Sequence, residues 1–243
     1  MCTVVVLSRP GHAWPVMLAA NRDEQQDRAW DPPAAHWPGL ALIGGRDRTG
    51  GGTWMALNRH GVACCVLNRP GSLGPAPGKR SRGELPLIAL AARSLGAAVE
   101  AATALPAHEW RSFNLVLASA EGAAFVRGLG HGHPEARFLP PGLSMVTAHD
   151  PNDAGSPRVA RHLQRFAAAP SPDADDWRGW RAVLADSGGG AAEQINVVPR
   201  GGFGTVCSAL LGLRPGGPPD FRFAPGPPDA VPFAPIPLDF ASA

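Results

Sequence analysis

The order of predicted elements indicates an α+β sandwich in which two sheets pack face to face and helices lie outside them. Roughly the first 70 residues have the pattern of β structure, and a helix, further strands and two more helices follow before a last core strand. The 243 residues are enough for a sizeable core, and no linker divides them. We therefore predict a single domain over 1–243, with a Pro/Gly-rich extension over 214–243.

Short apolar runs bounded by turn residues predict the strands. They cover residues 3–7, 16–20, 41–43, 53–57, 61–67, 113–120, 123–128, 142–148 and 207–213, with 221–223 also strand-like. The segment Asn58-Arg59-His60-Gly61 supplies a turn, so the strands on either side of it are expected to form a hairpin. The pair 113–120 and 123–128 is expected to form a second hairpin.

Apolar residues at helical spacing predict three helices. The first covers about 84–97, although Pro86 in its first turns favours a regular start nearer Leu85. The second runs from 156 to 169, where Ser156 is a capping residue and Pro157 suits the first helical position. The third covers about 175–186, with Trp177 and Trp180 on one face.

Composition and charge exclude several classes of function. A net charge of +2 is too small for a nucleic-acid-binding surface. No apolar run approaches the ~20 residues that span a bilayer, and the run 4–7 is too short for a signal peptide. The four cysteines have neither metal-ligand spacing nor a disulfide pattern. We expect a reduced cytoplasmic protein without a membrane span.

Cys2 directly follows the initiator methionine. Removal of Met1 would leave a thiol and a free α-amine on the same residue. Such an amine has an unperturbed pKa of about 7.7–8, so it can act as a base for its own nucleophile near neutral pH.

A polar cluster, Asn21-Arg22-Asp23-Glu24, ends the second apolar run. A guanidinium beside Cys2 would favour the thiolate, and a carboxylate could hold the α-amine. A polar turn that merely ends a strand would show the same pattern.

A series of motifs resembles the NRDE family, also called the Transport and Golgi organisation 2 family. The motifs occur in order over residues 1–120. They are Met1-Cys2, Ala19-Ala20-Asn21-Arg22-Asp23-Glu24, Gly44-Gly45-Arg46-Asp47, Gly51-Gly52-Thr53-Trp54, Ser81-Arg82-Gly83-Glu84-Leu85 and Phe113-Asn114-Leu115. The resemblance implies a four-layer αββα fold of the N-terminal-nucleophile hydrolase type.

A second resemblance is to the bile-salt hydrolase and penicillin V acylase group. Asn68 lies in a segment similar to the one that carries their oxyanion-hole asparagine, Thr147 in one like their Thr-Asn segment, and Arg158 in one like that of a distal arginine. Three features depart from the patterns. Arg22 directly precedes Asp23, whereas the acylases space these two residues three apart. Ala148 stands where the acylases carry an asparagine, and Val206 stands where the NRDE family has an arginine.

These resemblances imply a cysteine hydrolase that acts on an amide or thioester. The candidate catalytic residues are Cys2, Arg22, Asp23 and Asn68. The candidate substrate-binding residues are Asn21, Arg46, Trp54, Thr147 and Arg158. We also expect Arg46 to pair with Asp47, in a glycine-rich loop that lacks the lysine of a phosphate-binding loop.

The alternative is a non-catalytic carrier of a hydrophobic cargo, either haem or an acyl-CoA-like lipid, because members of the NRDE family have been linked to haem trafficking. We expect no resident metal or cofactor. His131-Gly132-His133 lies in a predicted hairpin loop, and Cys64 and Cys65 face opposite sides of a strand. As cargo, haem could be ligated by His36, His60, His149 or Cys2, and the sequence does not select among them.

Overall fold

The computed structural model describes residues 2–173 and 176–240, which form two sheets and four α-helices. In chain order the strands are β1 (Thr3–Ser8), β2 (Val16–Gln25), β3 (Trp30–Ala34), β4 (Leu42–Asp47), β5 (Thr53–Asn58), β6 (Ala63–Asn68), β7 (Phe113–Ser119), β8 (Gly122–Gly128), β9 (Glu135–Phe138), β10 (Gly142–Val146), β11 (Phe203–Leu213), β12 (Asp220–Ala224) and β13 (Ala234–Pro235). The helices are α1 (Glu84–Ala89), α2 (Leu95–Thr103), α3 (Pro157–Ala168) and α4 (Arg178–Leu184).

The chain forms two compact units. The first comprises Met1–Arg28 and Pro140–Pro235, and the second comprises Ala29–Leu139 and Ile236–Ala243. Each unit contains one antiparallel sheet and two of the helices. These elements confirm the predicted α+β class, whereas the single-domain assignment stays a prediction.

The sheet of the first unit has the strand order β10-β1-β2-β11-β12-β13. Its helices α3 and α4 cover one face, because alternate strand residues such as Val5, Met17 and Leu210 form a core with the helical residues Phe166 and Trp180. Burial of these apolar side chains holds the helices on the sheet.

The sheet of the second unit runs in simple sequence order, from β3 to β9. Both predicted hairpins, β5–β6 and β7–β8, are confirmed. Helices α1 and α2 pack on this sheet through Leu85 and Leu95, and Trp110 and Phe113 are fully buried in the same core.

The single helix predicted over 84–97 is wrong, since the segment contains all of α1 and the start of α2. α1 ends at Ala89, and the side-chain amide of Asn58 donates to the carbonyls of Leu90 and Ala92 just beyond it. Ser94 then adopts an extended conformation and accepts a hydrogen bond from Ala97 N, which starts α2. Side-chain caps on both sides stabilise the break.

Other boundaries differ from the predictions by a few residues. β2 continues through the polar cluster to Gln25, and β11 begins at Phe203, four residues before its predicted start. α4 covers only Arg178–Leu184, and the predicted first residue of that helix, Asp175, lies outside the described residues. Pro157 occupies the first turn of α3 as predicted, but the Ser156 hydroxyl does not cap the helix.

Candidate functional site

The ladder between β1 and β2 brings the amino-terminal segment next to the polar cluster. Thr3 pairs with Asn21 in an antiparallel register, and Arg22 pairs with Cys207 of β11 on the other side of β2. Extended by one residue, this register sets Cys2 opposite Arg22. The prediction that the strands carrying Cys2 and residues 21–23 are neighbours is therefore confirmed.

Alternation along the strands separates this part of the sheet into two rows of side chains. Thr3, Asn21 and Ser208 share one face, which is the face covered by α3 and α4. Cys2, Arg22 and Cys207 occupy the opposite face. The polar cluster is thus part of β2, and its side chains point alternately to the two faces of the sheet.

The carboxylate of Asp23 is buried among hydrogen-bond donors from two other elements. Arg158 of α3 donates from Nη1 to Oδ2 over 3.0 Å, and Thr205 of β11 donates to Oδ1 over 2.7 Å. The same Arg158 nitrogen donates to the Thr3 hydroxyl over 2.9 Å. Asp23 is 4% exposed and Arg158 is 2% exposed, so the charge of the carboxylate is balanced in a site shielded from water.

Cys2 is half-buried, and its thiol lies 3.7 Å from the backbone carbonyl of Asp23, to which it donates. Burial raises the pKa of this thiol, and the Asp23 carboxylate raises it further, whereas Arg22 lowers it. The expectation that a guanidinium beside Cys2 favours the thiolate is confirmed for Arg22 taken alone. Arg22 acts in the expected direction, but burial and Asp23 outweigh it.

Cys207 shares its environment with Cys2. Burial raises the pKa of the Cys207 thiol to about 12, although Arg22 opposes the shift. The thiol is 1% exposed. At neutral pH, Cys207 therefore contributes a neutral, buried side chain beside Arg22.

The Asn21 amide is used in structural hydrogen bonds. Its Nδ2 donates to the carbonyls of Leu184 and Ile195 over 3.0 and 2.9 Å, and its Oδ1 accepts from the Ser208 hydroxyl over 2.7 Å. These bonds join β2 to the carboxyl end of α4 and to the following loop. The contact with substrate that was predicted for Asn21 stays a prediction.

Thr147 contacts the residue that precedes α3, and Arg158 lies in the first turn of that helix. The hydroxyl groups of Thr147 and Ser156 lie 3.4 Å apart, which explains why Ser156 occupies the capping position without bonding to the helix. Arg158, in the first turn of the helix, contacts the site through Asp23 and Thr3. Direct contact of Thr147 or Arg158 with substrate stays a prediction.

Three predicted site residues, Asn68, Arg46 and Trp54, belong to the second unit. Asn68 is half-buried at the end of β6, and the ring of Trp54 makes an edge-to-face contact with Trp30 at 5.7 Å. The roles of all three stay predictions.

The expected pairing of Arg46 with Asp47 is wrong. Arg46 instead forms an ion pair with Asp31, 2.6 Å away on the neighbouring strand β3. Asp47 accepts hydrogen bonds from the backbone of Thr49 and Gly50, so its carboxylate stabilises the turn.

The described residues contain neither a metal-ligand cluster nor a membrane-spanning helix. Residues 2–173 and 176–240 contain no group of three or more His, Cys, Asp or Glu side chains that could hold a metal ion. Within the same ranges, no helix has the length and apolar character needed to cross a membrane.

A sequence comparison assigns the family. The profile of the family Transport and Golgi organisation 2 matches residues 1–175, which include β1, β2 and all of α3 but not β11. The chain belongs to this family. Among curated proteins, none matches the chain significantly in sequence.

Solved structures similar to this Transport and Golgi organisation 2 family chain include an amidase, an acylase and a bile acid hydrolase. A Caenorhabditis elegans ortholog of N-acylethanolamine-hydrolyzing acid amidase has a TM-score of 0.62 at 14% identity, covering 89% of this chain and 94% of that chain. Penicillin V acylase from Agrobacterium tumefaciens has a TM-score of 0.54 at 15% identity, and the match covers 92% of this chain and 83% of the acylase. A variant of conjugated bile acid hydrolase from Clostridium perfringens has a TM-score of 0.54 at 12% identity, and the match covers 98% of this chain and 94% of the hydrolase. These likenesses confirm the predicted N-terminal-nucleophile hydrolase-like fold.

Sequence reasoning missed two residues of the site in this family member, Thr205 and Thr3. Both hydroxyl groups are buried and bonded to the pair formed by Asp23 and Arg158. Thr205 belongs to Gly204-Thr205-Val206. The family pattern in this segment draws attention to Val206, which replaces an arginine, and not to the threonine before it. Thr3 follows Cys2 directly, and its position beside the candidate nucleophile was the available signal.

Proposed function

We propose that this member of the Transport and Golgi organisation 2 family is a cysteine hydrolase that cleaves an amide or a thioester through Cys2. The observation that carries the proposal is the contact of the Cys2 thiol with Asp23, in a strand register that also sets Arg22 beside it. The fold shared with an amidase, an acylase and a bile acid hydrolase supports the same chemistry.

The proposed reaction has two steps. After Met1 is removed, the α-amine of Cys2 takes the thiol proton, and sulfur bonds to the acyl carbon. The carbon–nitrogen or carbon–sulfur bond of the substrate breaks, and the protonated amine of Cys2 gives its proton to the leaving group. Water then attacks the acyl-thioester on Cys2, which releases the acid and restores the thiol and the amine.

Arg22 and Asp23 have opposite effects in this scheme. Arg22 favours the thiolate, whereas the negative charge of Asp23 suits the protonated amine that forms during the reaction. A raised thiol pKa keeps the resting cysteine neutral, so the amine is needed as a base. From its sequence pattern, Asn68 is proposed to donate to the oxyanion. Such a donor contributes roughly 2.7–4 kcal/mol to transition-state stabilisation.

A carrier function is the second candidate, and the raised pKa of Cys2 favours it. A neutral thiol is a poor nucleophile, but a pocket that holds haem or an acyl-CoA-like lipid by shape does not require a thiolate. A carrier would require the thiolate only if the sulfur of Cys2 ligated the haem iron.

The test compares wild type, Cys2→Ser and Arg22→Ala, with Cys64→Ser as the matched control. Cys64 is a fully buried thiol that is not among the candidate site residues, so its change to serine makes the same substitution away from the proposed nucleophile. Intact mass first establishes that Met1 has been removed. Hydrolysis is then measured with an N-acylethanolamine, penicillin V, a conjugated bile acid and an acyl thioester.

We expect wild type to hydrolyse at least one substrate, Cys2→Ser to lose activity and Cys64→Ser to keep it while folded. Hydrolysis that survives in Cys2→Ser would contradict the mechanism. A processed wild type that hydrolyses none of the substrates, yet binds haem or acyl-CoA as tightly as Cys2→Ser does, would establish the carrier instead.

A further inference from the structure

The Thr205 hydroxyl connects Asp23 to a loop that carries none of the predicted site residues. It donates to Asp23 Oδ1 over 2.7 Å and accepts a hydrogen bond from Val197 N over 2.8 Å. The backbone of Thr205 also donates to the Val197 carbonyl over 3.0 Å. Because Thr205 is 1% exposed and bonded on both sides, its hydroxyl has one available orientation.

A β-bulge sets Thr205 on the face where it meets Asp23. Ser208 pairs with Asn21 and Thr205 pairs with Asp23, so three steps along β11 match two steps along β2, and the register shifts at Val206. Without the extra residue, side-chain alternation would direct Thr205 and Ser208 to opposite faces. With it, both hydroxyl groups face the side that carries Asp23 and Asn21.

Asp23 is therefore held at both carboxylate oxygens by groups from different elements. Arg158 of α3 occupies Oδ2 and Thr205 of β11 occupies Oδ1, while the backbone carbonyl of Asp23 accepts from the Cys2 thiol. Hydrogen bonds to a carboxylate are roughly twice as strong as those between neutral groups. The Thr205 bond both fixes the carboxylate and draws part of its negative charge away from Cys2.

We propose that Thr205 is a positioning residue for hydrolysis at Cys2, acting through Asp23. The proposal rests on the proposed function, because its catalytic part has meaning only if Cys2 is the nucleophile. A second consequence is independent of hydrolysis. Removing the Thr205 donor leaves more negative charge on Asp23, which makes ionisation of the Cys2 thiol less favourable.

The test uses Thr205→Val, which keeps the shape and removes the hydroxyl, and Thr205→Ser, which keeps the hydroxyl. Ser208→Ala is the matched control, since it removes a buried hydroxyl from the same face of β11 that bonds to Asn21 instead. Thermal unfolding and circular dichroism establish that each variant folds. The two readouts are kcat and KM for hydrolysis, and the pH midpoint of iodoacetamide alkylation at Cys2.

We expect Thr205→Val to lower kcat about tenfold or more with little change in KM, and Thr205→Ser to restore most of it. The alkylation midpoint should move to higher pH in Thr205→Val and return in Thr205→Ser. The other groups that act on the Cys2 charge, namely Asp23, the amino-terminal amine, Arg22 and Cys207, are unchanged in all three variants. Ser208→Ala should leave the midpoint where it is in wild type.

The two proposals fail in distinguishable ways. If wild type hydrolyses nothing but the midpoint shifts as described, the proposed function fails and the coupling of Thr205 to Cys2 stands. If folded Thr205→Val keeps the wild-type midpoint and kcat, the positioning role is wrong. Equal losses in Thr205→Ser and Thr205→Val would also overturn it, because the hydroxyl would then not be the group that matters.

Discussion

Arg158 and Asp23 form a buried ion pair, with 3.0 Å between Nη1 and Oδ2 and less than a twentieth of either side chain exposed. The partners lie 135 positions apart in the chain, so the pair ties α3 to β2. Neither charge could remain in this environment without the other, because an unpaired buried charge is costly.

The first prediction follows from this pairing. Arg158→Met keeps much of the side-chain volume but removes the guanidinium that pairs with the Asp23 carboxylate, and we expect a loss of about 3–5 kcal/mol in the free energy of unfolding. Urea denaturation measures it. Arg178→Met is the control, since Arg178 pairs with Asp176 at the surface, and its unfolding curve should stay close to that of wild type. Equal destabilisation by both variants would contradict the role of the buried pair.

The second prediction concerns the relative reactivity of the cysteines. Cys64, Cys65 and Cys207 are buried, whereas Cys2 is half-buried, so an electrophile should label Cys2 first in the folded protein. Because burial raises its thiol pKa, labelling at about pH 7 should be slower than for a free cysteine and should accelerate as the pH rises. Peptide mass spectrometry after iodoacetamide treatment measures both effects. Labelling of Cys207 ahead of Cys2 would refute the assignment of the accessible thiol.

Local patterns were sufficient to predict the part of the fold that carries the site. The apolar runs of β1 and β2 and the Pro157 start of α3 are recognisable because strand alternation and the fixed φ of a proline depend only on neighbouring residues. β3 was missed because it contains Pro32 and Pro33, which cannot donate to a ladder. The strand is possible because it lies at the edge of its sheet.

Other features depend on partners distant in sequence. β9 has only four residues and all four are exposed, so it lacks the buried apolar run that predicts the other strands. The break between α1 and α2 is stabilised by Asn58, more than 30 residues earlier in the chain. Thr205 becomes a site residue only through the register shift at Val206 and its bond to Asp23, 182 positions away. A pattern within one segment cannot indicate such pairings.

The third prediction concerns pH and His162, which lies on α3 and is fully buried. Its Nδ1 accepts from Arg165, since a guanidinium can only donate, so Nε2 carries the proton and donates to the Glu193 carbonyl over 2.8 Å. The imidazole is therefore neutral. Burial lowers its pKa below the ordinary value of 6.5, partly offset by the bond to Glu193, and Arg165 lowers it further.

The direction of the pH effect on stability follows from how readily His162 binds a proton in the folded and in the unfolded protein. Below about pH 6.5 the unfolded protein binds a proton on His162 that the folded protein binds less readily, so this residue's contribution to stability is lost as the pH falls. We expect the urea midpoint to fall between about pH 7.5 and about pH 5.5, and the fall to be smaller in His162→Gln. Carboxylates also affect stability at low pH, so the measured quantity is the difference in the fall of the urea midpoint between wild type and His162→Gln. An unchanged or larger fall in His162→Gln would contradict the assignment.

The last prediction distinguishes a structural role of Asn21 from the substrate contact predicted for it. Asn21→Ala removes both donors to the carbonyls of Leu184 and Ile195, and leaving such groups unpaired in the interior costs about 1–3 kcal/mol each. We expect the variant to unfold at a clearly lower urea concentration, and its surviving folded fraction to hydrolyse substrate with an unchanged KM. Ser208→Ala, which removes only the bond to Asn21 Oδ1, should destabilise less. A stable Asn21→Ala protein with a raised KM would instead establish Asn21 as a substrate-binding residue, because the lost bonds would then matter only when substrate is present.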